Sequence, residues 1–398
     1  MKCIQVLDYA PSFGGGIADH LRALGEALQA RGDSLVVALP ELRDWSRSLS
    51  EAASVVALPE IRRPLRSGFH GRLAALQRET GADLVHLQFS FALALALATS
   101  PRGWPTPVVY HWQNPPKGLL GRNGPGNGRG HPPENRRTTL PLPGPGSSVG
   151  QAWTRPWSGV AARLADRRVI THHLTVSGAI RDLLVDAGWT SADRVTVLPN
   201  AIGRFDPPRP KTTRAPGSLR LGCVANFRPQ KDHATLLRAF AVVSAAMAGS
   251  HLVLVGDGPG RREMEKLAAE LRLSGRVTFA GTVPNAELDF DAFDLFVLAT
   301  HYEGHPLTVL EAMAHGLPVV ASAVGGMSEF VRHEVDGLLV PPADPAALAS
   351  AILRLGGDDS ARRALGASGR ERVDREFSLQ AWVHSLLGVY ERILRRPD

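Results

Sequence analysis

The sequence predicts an α/β protein of two domains, each a parallel sheet with helices between its strands. Three observations predict it. The length of 398 residues suits two domains of ordinary size, each able to bury a core. Short β-branched runs alternate with helix-period segments along both halves. The runs are apolar almost without interruption, as strands covered on both faces are.

In the first half the strand candidates are KCIQVLDY, SLVVALP, ADLVHLQF, PVVYHW, RRVITHHLTVS and RVTVLPN. Helical patterns lie between them at Ile17 to Ala30, Gly71 to Thr80 and Ser177 to Ala187, and FSFALALALA (Phe89 to Ala98) reads as a buried helix. In the second half the strands are LRLGCVANF, HLVLVG, RVTFAG, LFVLAT, PVVASA and GLLVPP. Helices separate them at Ala234 to Met247, Gly260 to Leu271 and Leu307 to His315. The stretch Arg204 to Ser218, rich in Pro and charge and without a period, reads as the linker. The domains are therefore expected at 1–205 and 206–376, with a last helical segment, Leu379 to Arg396, in 377–398. Residues 114–150 break the pattern. Their Gly and Pro content and lack of apolar period predict a flexible loop, either a functional lid or an inert insertion.

Apolar residues make up 44% and charged residues 21%, which argues against a mostly disordered chain. Two cysteines, Cys3 and Cys223, exclude a disulfide framework and a Cys-based zinc site by count and suit a reducing compartment. The N-terminus lacks a signal-peptide pattern, and no run approaches the ~18 apolar residues of a membrane span. The expectation is a cytoplasmic protein, with peripheral attachment to the inner face of a membrane left open. Net charge is +7 and uneven: residues 1–205 hold 23 Lys and Arg against 15 Asp and Glu, the remainder 22 against 23. A basic first half fits either an anionic or membrane-associated partner or a solvated face. Its Arg residues are scattered and no zinc-finger or RNP-like motif occurs, so nucleic acid is not expected.

Several motifs are decided by spacing. The glycines Gly14–Gly16 between the first strand and first helix fit either a tight turn or close backbone approach to a ligand. GDGPGR, Gly256 to Arg261, has Arg261 where a dinucleotide fingerprint needs its third Gly, so it reads as a turn. HYEGH, His301 to His305, has Tyr302 where a zinc helix needs Glu, and Gly304 and Pro306 break the helix. No P-loop and no G-x-S-x-G nucleophile elbow is present. The strongest pattern is EGHPLTVLEAMAHGLPVV, Glu303 to Val320. It puts Glu303 in the turn after a strand and Glu311 in the helix that follows. A helix N-terminus favours phosphate, and carboxylates beside it accept sugar hydroxyls. NFRPQKD, Asn226 to Asp232, adds Arg228 and Lys231, two cations suited to a diphosphate.

These residues carry a resemblance. Over Leu219 to Pro345 the chain resembles the retaining glycosyltransferases of the GT-B fold, family four (glycosyl transferases group 1), which use nucleotide sugars. The resemblance includes Arg228, Lys231, the GDGP turn, the two glutamates and the run VGGMSEFVRHEVDGLLVPPADPAALA. It is looser over Gly14–Gly16, DLVHLQF, the strand ending at His111, TVS before Gly178 and VTVLPNAI. His305 stands where the family has an aromatic or small residue, Ala201 replaces a common Gly, and residues 114–150 match nothing in the family.

The resemblance implies two Rossmann-like domains facing a central cleft, the N-terminal one for acceptor and the C-terminal one for donor, with the last helix returning to the first. It implies that Arg228 and Lys231 hold the donor diphosphate, Glu303 the sugar hydroxyls and Glu311 the ribose. His111 would lie beside the sugar, Gly15 and Gly16 near the donor phosphates, and the backbone of Pro306, Leu307 and Thr308 at the phosphates. The implied reaction is retaining transfer from a nucleotide sugar to an acceptor hydroxyl, with no cofactor and no metal. The alternatives are a phosphorylase or sugar-nucleotide epimerase on the same fold, or a non-catalytic nucleotide-sugar-binding paralogue.

Overall fold

The computed structural model describes residues 1–8, 15–65, 68–89, 91–98, 104–114, 157–203, 218–283 and 288–395. The loop expected at 114–150, apart from Asn114, the linker up to residue 217, and Gly14 lie outside the described residues. The chain divides into two compact units.

Unit one runs β1 (Lys2–Leu7), α1 (Gly15–Gln29), β2 (Ser34–Leu39), α2 (Asp44–Arg47), β3 (Ser54–Ala57), α3 (Phe69–Thr80), β4 (Leu84–Gln88), α4 (Phe91–Ala98), β5 (Val108–Trp112), α5 (Trp157–Arg168), β6 (Ile170–Thr175), α6 (Gly178–Asp186) and β7 (Val195–Val197). Unit two runs β8 (Ser218–Val224), α7 (His233–Ala246), β9 (Gly249–Val255), α8 (Arg261–Glu270), β10 (Val277–Gly281), β11 (Leu295–Leu298), α9 (Leu307–Ala314), β12 (Val319–Ser322), α10 (Met327–Phe330), β13 (Gly337–Val340), α11 (Pro345–Gly356) and α12 (Asp359–Glu376). The last helix, α13 (Leu379–Arg395), belongs to unit one.

The sheets have the order β3-β2-β1-β4-β5-β6-β7 and β10-β9-β8-β11-β12-β13, parallel throughout. In each sheet the order reverses beside its first strand, between β1 and β4 and between β8 and β11. Such a reversal opens a crevice at the carboxyl ends of the strands, where ligands of open α/β sheets bind.

The apolar strands follow from burial on both faces. In β1, Ile4 and Val6 enter one core cluster with α3, α4 and α6, while Cys3 and Leu7 enter another with α1 and α13. This is the period of two of a strand read against two covers. The helix α13 fits its cover by spacing: Trp382, Leu386 and Tyr390, with Val383 and Leu387, line one face and are buried. They pack with Leu21, Leu24 and Leu28 of α1 in one core. Each such side chain contributes about 1.5–3 kcal/mol on burial. Among the described residues no helix is long and apolar enough to cross a membrane. Cys3 and Cys223 are free and buried, and burial pushes both thiols up to about 12.

The α13-side core of unit one also holds polar groups. The amide of Gln5 donates to the Tyr390 hydroxyl at 2.8 Å, and Nδ1 of His86 lies 2.6 Å from that hydroxyl. Gln88 donates to Gln5 Oε1 at 2.6 Å. These bonds place buried polar atoms with partners, as low dielectric requires.

Burial pushes the pKa of His111 down to about 3, with nearby His20 adding to the shift, and that of His233 down to about 4. Burial also lowers His20, His86 and His173. Folded, these rings resist a proton that the unfolded chain takes up near pH 6.5. Their stabilisation is therefore present above pH 6.5 and lost as pH falls toward 4, at about 1.4 kcal/mol per group per pH unit at most. Urea unfolding should accordingly give a lower midpoint at pH 5 than at pH 7.5. An unchanged midpoint would contradict the buried neutral histidines.

Candidate functional site

Seven of the ten candidate residues lie in unit two, on two loops and one helix at the strand reversal. The loop after β8 carries Arg228 and Lys231, and the loop after β11 carries Glu303. The strands are neighbours in the sheet, so the loops start side by side.

Local structure fixes each loop. After β8 the chain makes a short 3-10 turn, Pro229–Lys231, entered at Arg228 and left at Asp232 with φ +30°. Asp232 then caps α7, its Oδ1 accepting from Thr235 N at 3.3 Å. Two glycines of the GDGP turn make room for this loop. Gly258 has φ +158°, and a Cβ there would stand 2.7 Å from the Phe227 carbonyl oxygen; one at Gly256 would stand 2.2 Å from that of Ala225. The turn thus serves as a support for the cationic loop, consistent with its failure as a dinucleotide fingerprint.

The two loops are stapled together. His301 N donates to Gln230 O at 2.8 Å, Thr300 Oγ1 to the same oxygen at 2.9 Å, and Gln230 Nε2 to Tyr302 O at 2.9 Å. Lys231 Nζ forms an ion pair with Glu303 Oε1. That same carboxylate oxygen lies 3.1 Å from Thr300 Oγ1. Glu303 is only 5% exposed and Arg228 is exposed. The Glu303 backbone is held in turn: Gly326 N donates to its carbonyl at 3.1 Å. Gly325 makes that approach possible, with φ +49° and a Cβ position 2.4 Å from the same oxygen. Burial and the Glu303 charge push the Tyr302 phenol up to about 12 while Arg228 pulls it down, so Tyr302 stays neutral and Arg228 lies within electrostatic reach.

Pro306 precedes the first turn of α9, and Leu307 and Thr308 open it, half-buried. Among the described residues no side chain caps this helix, and no acid sits in its first turn. Its leading amides are therefore available to an anion, unlike those of α7. Glu311 is buried one turn further along α9. His305, 4% exposed, packs among aromatic rings, its ring centroid 4.4 Å from that of Phe330 and 5.3 Å from that of Phe377.

The other three candidates, Gly15, Gly16 and His111, lie in unit one. Gly15 and Gly16 open α1, and His111 is on β5. His20 of α1 links them: its Nδ1 is 2.5 Å from the Gly16 carbonyl oxygen and its charge bears on His111. Its Nε2 accepts from Ala201 N at 3.3 Å, which ties α1 to the loop after β7. His111 is 1% exposed, its ring 5.5 Å from that of His86, and neither of its nitrogens meets a hydrogen-bond partner among the described residues.

Sequence reasoning missed Gln230, Thr300 and His20. Gln230 stood inside NFRPQKD and Thr300 at the end of the strand run LFVLAT, but their pairing across two strands has no periodic signal.

The model of the family described as glycosyl transferases group 1 matches residues 218–358, and that of the glycosyl transferase 4-like domain matches residues 15–201. A lipopolysaccharide core biosynthesis glycosyltransferase, LpsD, of Rhizobium meliloti is 36% identical over 169 residues, 42% of this chain and 48% of that protein. The chain spans about half the length of the curated relatives it matches. Among solved structures, Anabaena Alr3699/HepE in complex with UDP and glucose superposes with a TM-score of 0.72 at 19% identity, over 98% of this chain and 99% of that one. Sucrose-phosphate synthase of Thermosynechococcus elongatus gives 0.76 at 22% identity, over 99% of both chains. With its two Rossmann-like sheets and both family models matched in order, the chain has the GT-B fold and belongs to family four of the glycosyltransferases, the glycosyl transferases group 1.

Proposed function

We propose that this protein transfers a sugar from a nucleoside diphosphate sugar to an acceptor hydroxyl, with retention at the anomeric carbon. One observation carries the reading: Lys231, Glu303 and the uncapped start of α9 share the strand reversal of unit two. A cation, a carboxylate and free helix amides suit a ligand that is anionic at one end and a polyol at the other. A fold neighbour in complex with UDP and glucose supports the same ligand class.

The barrier to such transfer is charge separation between an oxocarbenium-like sugar and a departing diphosphate. Arg228 and Lys231, with the backbone of Pro306, Leu307 and Thr308, stabilise that departing charge as preorganised groups. With two cations in this role the reaction needs neither metal nor cofactor. Glu303 accepts hydrogen bonds from the sugar hydroxyls and Glu311 from the ribose. In unit one, His111 is neutral at physiological pH, with one donor and one acceptor nitrogen of the kind that suits sugar hydroxyls, and Gly15 and Gly16 have no side chain to keep a phosphate from the backbone. The basic first half favours an anionic or membrane-associated acceptor. The protein works in the cytoplasm, and a membrane-associated acceptor would bring it to the inner face of the membrane.

Lys231→Ala and Arg228→Ala should each lower turnover about 10²–10³-fold at saturating donor, the usual cost of one preorganised charge-stabilising group. Steady-state kinetics with melting curves as a check on folding measure this. Near-wild-type turnover in both variants would remove the assigned role. A donor panel read by hydrolysis identifies base and sugar, and phosphate-dependent turnover there would favour a phosphorylase instead.

The two glutamates should separate. Glu311→Ala loses a charge-assisted hydrogen bond of roughly 1.5–3 kcal/mol to the ribose, so calorimetry should record a ten- to hundredfold weaker nucleoside diphosphate. Glu303→Ala should not weaken that affinity and should level the preference among sugars on one nucleotide. Equal loss of nucleotide affinity in both variants contradicts the division.

A further inference from the structure

We propose that the Lys231–Glu303 ion pair is a latch that an incoming diphosphate opens, and that the Thr300 hydroxyl is the group that then holds the freed Glu303 carboxylate. The proposal rests on the reading of unit two as the donor site and deepens it. Thr300 is a positioning residue in this scheme, acting through Glu303.

The argument starts from one proton and three acceptors. Thr300 Oγ1 lies 2.9 Å from Gln230 O, 3.2 Å from Tyr302 O and 3.1 Å from Glu303 Oε1. A hydroxyl donates one hydrogen bond well at a time. While Lys231 Nζ sits on Glu303 Oε1, the carboxylate is compensated and the hydroxyl can serve the Gln230 carbonyl. A diphosphate carries more charge than a carboxylate and competes for the same ammonium. Once the ammonium leaves, Glu303, 5% exposed, is a buried carboxylate short of a donor, which is costly. The Thr300 hydroxyl is the donor within reach, and turning its O–H from the Gln230 carbonyl to the carboxylate restores the count.

The surroundings confine the change to side chains. Thr300 is fully buried, and its own amide donates to Ser322 Oγ at 3.0 Å. The Gln230 carbonyl keeps the His301 amide as a donor when the hydroxyl turns away. The Gln230 side chain remains on Tyr302 O throughout. The latch therefore opens without either loop moving. Its consequence is coupling: the phosphate end of a ligand releases the carboxylate that receives the sugar end, so the two ends of one molecule help each other bind.

The test is calorimetric titration of the full-length protein with inorganic pyrophosphate. Glu303→Gln, which removes the rival for Lys231, should bind pyrophosphate about tenfold tighter than wild type, one charged hydrogen bond's worth. The gain should vanish in Lys231→Gln/Glu303→Gln. Thr300→Val should bind about tenfold more weakly than wild type, Thr300→Ser should match wild type, and Thr300→Val should have no effect in the Glu303→Gln background. Thr300→Ser and the double variant separate loss of the hydroxyl from loss of folding. If wild type binds pyrophosphate and Glu303→Gln gains nothing, or Thr300→Val equals wild type, the latch is overturned while the donor site stands. If neither wild type nor Glu303→Gln binds pyrophosphate or any nucleoside diphosphate, the donor reading falls and the latch with it.

Discussion

An ammonium and a nearly buried carboxylate meet where β8 and β11 lie side by side, and much of unit two serves to keep them there. Lys231 must reach across from one loop and Glu303 from the other, so the loops need a common frame. Gln230 supplies it with both its backbone oxygen and its side-chain amide. The glycines of the GDGP turn and Gly325 are the steric counterpart, each standing where a Cβ would collide with a carbonyl oxygen of one of the two loops. A buried ion pair contributes little to stability by itself, since desolvation cancels most of its Coulomb attraction. Its place at the strand reversal of unit two suits the proposed role, preparation for a charged ligand, better than that of a brace.

The inner strands were legible because they are buried on both faces, as β4, β5, β11 and β12 are throughout. All six strand runs of the second half and all six named in the first appear in the structure. The seventh strand of unit one, β3, was not marked. It is four residues of partly exposed SVVA at a sheet edge, too short and too lightly buried to show a period. The helices α2, α5, α10, α11 and α12 were also unmarked. In α12 the glycines Gly366 and Gly369 and a charge-rich sequence look like loop, yet Gly366 is there because the helix passes close to the Gly316 carbonyl oxygen, 2.0 Å from where a Cβ would stand. Tertiary contact has overridden propensity.

The site divides in the same way. Arg228, Lys231, Glu303 and Glu311 could be named in advance because charged residues at strand ends and helix starts point to ligand chemistry, and their joint spacing resembles one family. Thr300 and Gln230 carry no such mark. Their importance lies in a pairing between strands that are 70 residues apart in sequence, which only the fold creates. His111 was found through its strand, but the reason for its neutrality, burial beside His20, was invisible until α1 and β5 were placed.

The central claim is that the loops after β8 and β11 and the start of α9 form one diphosphate site. A crystal structure of the protein with a nucleoside diphosphate sugar tests it most directly. The account predicts phosphate oxygens within hydrogen-bond distance of Arg228, Lys231 and the Leu307 and Thr308 amides, with Lys231 Nζ drawn off Glu303. Phosphates bound elsewhere, with the Lys231–Glu303 pair intact, would contradict it.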